Sequence, residues 1–151
     1  MNVQAMVVGL SLIFGSGAVA ATPGCQPKFE AAWIRSAPPG TTALAAYGRL
    51  RNDCPKPFVV TGLSAPDFAM AMIHQTRIDK GVSQMRPAEN LAVPARSTLE
   101  FAPGGRHMML MHPMRPLKVG DRVWLELTLS GGVRVRAQFE VRREAPPAAK
   151  R

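Results

Sequence analysis

The sequence predicts an all-β protein, an antiparallel sandwich or barrel, on three observations. Segments enriched in Val, Leu, Phe, Trp and Thr are short and are separated by turn residues. Beyond the N-terminal leader there is no convincing amphipathic helix. Leu125-Glu126-Leu127-Thr128-Leu129, then Gly131-Gly132, then Val133-Arg134-Val135-Arg136-Ala137 spells a hairpin. Regularly spaced short strands without intervening helices pack as a sandwich or close as a barrel.

In chain order, residues 1–20 carry no Lys, Arg, Asp or Glu. The apolar stretch from Met6 to Phe14, followed by Ala18-Val19-Ala20-Ala21, has the form of a secretory signal peptide. Its n-region is atypical, having only the α-amino group as positive charge, and an uncleaved anchor is the competing reading. The run is short for a membrane span, which needs about 20 apolar residues, and no later segment approaches that length, so no span is expected after cleavage. Strands are then expected over 29–35, 42–52, 57–64, 68–78, 82–87, 98–102, 106–112, 122–130 and 133–142. Residues 21–144 form the expected domain, and 145–151, rich in Pro and Ala, an expected disordered tail. A total of 151 residues suits one domain.

The formal charge is +9, from 19 Lys and Arg against 10 Asp and Glu. These charges are scattered along alternating strands, as in Arg134-Val135-Arg136, and aromatic residues are sparse. A nucleic-acid partner is therefore not expected; a solvated basic surface, or attraction to an acidic protein, is. The two cysteines, Cys25 and Cys54, are an even count in an exported chain and favour a disulfide. A Cys-only metal site is the weaker alternative, since nothing here resembles a CxxC knuckle.

Nine methionines and three histidines remain to be explained. Two methionines belong to the leader; the other seven and all the histidines lie in 70–85 and 107–114. Residues two apart on a strand share a face. His107, Met109 and Met111 therefore point one way, and Met108, Leu110 and His112 the other. Met70, Met72 and His74 likewise share a face. With Asp79 and Lys80 as the two turn residues, His74 falls directly opposite Met85; a bulge at Gly81 would shift this register by one. Two imidazoles and two thioethers, without a carboxylate among them, select Cu(I) over Zn, Mg or Ca. A blue-copper site would need a Cys thiolate as well, and both cysteines are far away in sequence. The competing reading is a Met-rich core with surface histidines.

The spacing His74, ten residues, Met85, twenty-one residues, His107, one residue, Met109 resembles the H-x10-M-x21-H-x-M signature of the periplasmic PCu(A)C copper chaperones. Met85-Arg86-Pro87, Gly104-Gly105-Arg106-His107-Met108-Met109-Leu110-Met111 and Arg115-Pro116-Leu117-Lys118-Val119-Gly120-Asp121 resemble that family's flanking segments, as do Ala32-Trp33-Ile34-Arg35 and Pro38-Pro39-Gly40. The resemblance covers about residues 29–142. It implies a cupredoxin-like, immunoglobulin-type sandwich that holds one Cu(I) per chain on His74, Met85, His107 and Met109. It also implies a periplasmic carrier, with copper-donor and copper-acceptor proteins as partners. Cytochrome c oxidase subunit II, or its assembly factors, would be among the acceptors, receiving copper for the binuclear centre. Met111 matches a recurrent family methionine, read as a support beside the ligands rather than a ligand. His112-Pro113-Met114 repeats the H-x-M spelling at the wrong spacing. The tail lacks the His and Met that give some relatives a second site. A monomer is expected, and no enzyme: no nucleophile–base pair, carboxylate dyad or phosphate loop is visible. The alternatives are a copper buffer or scavenger, and an immunoglobulin-like interaction module without metal.

Overall fold

A computed structural model describes residues 24–146. The expected signal peptide, and the expected tail beyond residue 146, lie outside the described residues. Ten strands follow one another: β1 (Lys28–Arg35), β2 (Ala43–Asn52), β3 (Phe58–Ser64), β4 (Phe68–Asp79), β5 (Val82–Pro87), β6 (Leu91–Val93), β7 (Ser97–Phe101), β8 (Arg106–Pro113), β9 (Arg122–Leu129) and β10 (Val133–Arg142). Every expected strand forms, with ends within one residue. The addition is β6, three residues long. It pairs with β3 and is too short to show an alternating pattern in sequence.

Strands hydrogen-bond in the order β5-β4-β8-β2-β1-β10-β9-β3-β6, with β7 also on β2. The ladder doubles back so that both halves feed one apolar core, including Ile34, Leu50, Phe101, Met108, Leu110, Leu125, Leu129 and Phe139. This is the expected all-β, sandwich-like single domain, with one departure from antiparallel pairing. β1 runs parallel to β10, Trp33 beside Glu140. A parallel pair needs a long crossover, and here the rest of the domain supplies it. No local pattern announces such a pairing.

Alternation sets the faces. On β4, Ile73 is buried in the core; on β8, Met108 and Leu110 are, and on β2, Leu44 and Ala46. The intervening residues of these strands therefore look outward. Two local devices tune this surface. β1 carries a bulge between Glu30 and Trp33, with Ala31 at φ 51°. Opposite it, Gly48 has φ 148°, and a Cβ there would overlap the Phe29 ring and stand 2.9 Å from the Glu30 carbonyl oxygen. The bulge shifts the register by one, so that Trp33 pairs with Tyr47. The second device is the β4–β5 turn. Lys80 and Gly81 have φ 48° and 80°, and Asp79 pairs with Val82. Positive φ at both central residues marks a type I′ turn, whose twist matches the strands.

Candidate metal centre

β4 and β8 lie side by side and antiparallel, and their register pairs His74 with His107, Met72 with Met109 and Met70 with Met111. These residues form three rungs on the outward face. The histidine rings stand edge to face with centroids 6.0 Å apart. His107 is buried, and its ring lies 6.4 Å from that of Tyr47, which in turn packs 4.9 Å from Trp33. The β1 bulge thus serves the histidine rung by setting the aromatic pair beside it.

Each imidazole has one nitrogen already committed by its surroundings. His107 Nδ1–H donates to the Gly105 carbonyl at 3.1 Å. A neutral ring so held has its lone pair on Nε2, the usual way a ligating histidine is oriented. The same carbonyl accepts the Thr76 amide at 3.1 Å, binding β4 to the turn before β8. His74 Nε2 lies 3.0 Å from Met72 Sδ. Its Nδ1 is buried without a hydrogen-bond partner, an uncommon state for a buried polar atom. Burial, and secondarily the charge of His107, push the His74 ring below the usual histidine range, which favours its neutral, electron-donating form.

Met85 corrects the expected register. The turn residues are Lys80 and Gly81, not Asp79 and Lys80, so His74 opposes Pro87 and Met85 opposes Thr76. The reason is conformational: Gly81 is the residue that adopts positive φ most readily and belongs at the turn centre. A slip of two residues preserves the face, whereas a slip of one would have turned Met85 away. Met85 remains on the face of His74 as its diagonal neighbour, about 7–8 Å away by backbone geometry. It is 54% exposed.

Of the four expected ligands, His74 and His107 are thus directly paired, Met109 is one rung along, and Met85 is diagonal. Met72 joins them, cross-strand from Met109 and in contact with His74. Its face was legible from the i, i+2 spacing to His74, but its contact with the ring was not. Met108, fully buried, belongs to the core as its parity required. His112 sits at φ 52° and is exposed.

The hard-ligand alternatives are missing from this face. Among the described residues, no group of three or more His, Cys, Asp or Glu converges. Both cysteines are joined, Cys25 to Cys54, with Cα atoms 5.6 Å apart. Cys54 lies two residues past the end of β2, whereas Tyr47, beside His107, lies five residues before that end. The Arg115–Asp121 loop is structural: the Asp121 carboxylate accepts the Lys118 amide at 2.9 Å and Arg115 Nη1 at 3.1 Å. The Lys118 bond first, then Arg115, hold that carboxyl below its usual range.

A family model described as "Putative lipoprotein LpqE-like" matches residues 28–141. The chain is 34% identical over 119 residues to "Putative lipoprotein Lxx21020" of Leifsonia xyli subsp. xyli, covering 76% of this chain and 70% of that one. It is similar to the solution structure of Cu(I)-DR1885 from Deinococcus radiodurans, at 30% identity and TM-score 0.61, over 85% of this chain and 84% of that chain. The copper-bound PCuAC domain from PmoF2 has the same fold, with TM-score 0.62 at 24% identity over 78% of this chain and 92% of that one. With nearly the whole described domain matched by the family model, this chain belongs to the LpqE-like (PCuAC) family.

Proposed function

We propose that this protein is an exported copper chaperone that binds one Cu(I) on His74, Met85, His107 and Met109 and passes it on by ligand exchange. The observation that carries this reading is the register that pairs His74 with His107 beside the Met72–Met109 rung. It places two imidazoles and several thioethers on one outward face. Thioethers select Cu(I), and the absence of a thiolate or carboxylate disfavours tighter-held or harder ions. The Cu(I) form in which DR1885 was determined supports the same cargo.

Release is as important as capture for a carrier. Neutral donors hold Cu(I) without an ion–ion attraction, and exposed Met85 can leave first, opening the ion to an incoming ligand. The buried His107, fixed by Gly105, is the anchor that lets go last. The disulfide, the leader-like N-terminus and the family's lipoprotein relatives support export to the periplasm. The acceptor we infer is the binuclear copper centre of cytochrome c oxidase, reached directly at subunit II or through its assembly factors.

Competition with a chromophoric Cu(I) chelator tests the site. The wild-type protein should take one tightly held Cu(I), and Met85→Ala and His107→Ala should each weaken it at least about tenfold, a loss of about 1.4 kcal/mol or more. Zn(II) should bind far more weakly. Full Cu(I) affinity in the double variant would overturn the assignment.

A further inference from the structure

Two of the three rungs on the β4–β8 face are built only of methionine: Met72 with Met109, and Met70 with Met111. Successive rungs are about 7 Å apart along the strands, and partners within a rung have Cβ atoms about 5 Å apart. Four thioethers thus form a two-by-two array that begins at the histidines and runs toward the Phe68 end of β4. The core does not need them, because the opposite-facing Ile73, Met108 and Leu110 fill it. On the β2 flank, Met109 and Met111 are bordered by Ala45 and Ala43, side chains too small to cover the sulfurs. Met70 is 49% exposed, an unusual place for an apolar side chain but a suitable one for a thioether that must reach an ion.

We propose that Met70 and Met111, backed by the Met72–Met109 rung, form a second, weaker station for a soft monovalent ion, Cu(I) or Ag(I). This rests on the copper reading of the histidine rung, because the two stations share the middle pair. Movement between them is ligand exchange: a thioether sulfur lone pair replaces an imidazole lone pair on the ion, and no electron changes hands. An all-thioether set binds less firmly than one with imidazoles and excludes hard cations, so the array serves as an entry or exit track beside the tighter site.

Titration of methyl-13C-methionine protein with Ag(I), which stays monovalent, tests this. The first equivalent should shift the Met85 and Met109 methyl signals, and the second those of Met70 and Met111. A Met70→Leu variant keeps side-chain volume. It should retain wild-type affinity for the first ion and lose at least tenfold for the second. A His74→Ala/His107→Ala variant should lose the tight event while Met70 and Met111 still respond. If Met70 and Met111 stay unmoved through two equivalents while Met85 and Met109 respond, the station is overturned and the primary site stands. If Met85 and Met109 do not respond to the first equivalent, the primary site is overturned instead, and the station is judged on Met70 and Met111 alone.

Discussion

His107 shows how much of the site depends on single contacts. Its Nδ1–H is held by the Gly105 carbonyl, and its ring by Tyr47. Tyr47→Ala should therefore weaken Cu(I) binding through a loosened ring, with less effect than His107→Ala in the same competition assay. Away from the candidate site, Asn52 is a buried polar residue whose side chain ties several loop segments together. It is fully buried, and its Nδ2 faces the carbonyls of Lys56 at 2.9 Å, Val93 at 3.3 Å and Pro94 at 2.9 Å, while its Oδ1 accepts the Cys54 amide at 3.0 Å. Asn52→Asp would turn a carboxylate toward three carbonyl oxygens and should lower stability by at least about 3 kcal/mol, read as a fall in the thermal midpoint. At this scale the shared faces of the candidate ligands were legible, because residues two apart on a strand point the same way. The orphaned His74 Nδ1 and the Met72–His74 contact were not, since both depend on how neighbouring strands pack.

The strands were legible nearly to the residue, but their pairing was legible only where a turn dictated it. The β4–β5 hairpin came out two residues from the expected register because Lys80 and Gly81, not Asp79 and Lys80, take the type I′ positions. The error was harmless to the face, which follows a period of two. The β1 bulge, the parallel β1–β10 pair and the three-residue β6 have no local signature, because each is imposed by a partner distant in sequence. Two consequences can be measured. Gly48→Ala should displace the β1 bulge, lower the melting temperature and weaken Cu(I) binding together, since the bulge sets Tyr47 beside His107. Replacing Cys25 and Cys54 by Ala removes a link across 29 residues; the chain-entropy account gives a loss of about 3–4 kcal/mol. Cu(I) affinity in the folded fraction should be unchanged, because the disulfide lies beyond the far end of β2 from the methionine rungs.

For the whole molecule, the fold places a soft-donor face on a basic chain of formal charge +9. In the proposed transfer such a charge would steer the protein toward an acidic acceptor, so transfer rates should fall as ionic strength rises. Deleting the protein under copper limitation should lower cytochrome oxidase activity, and added copper should restore it. The wild-type chain should rescue the deletion, and a His74→Ala/Met109→Ala variant should not. Unchanged oxidase activity with altered copper tolerance would favour buffering instead. All of these outcomes depend on the donor set, which copper-edge X-ray absorption of the Cu(I)-loaded protein reads most directly. A mixed shell of two nitrogen and two sulfur donors is expected, losing one sulfur in Met85→Ala; a shell without sulfur would contradict the proposed ligand set.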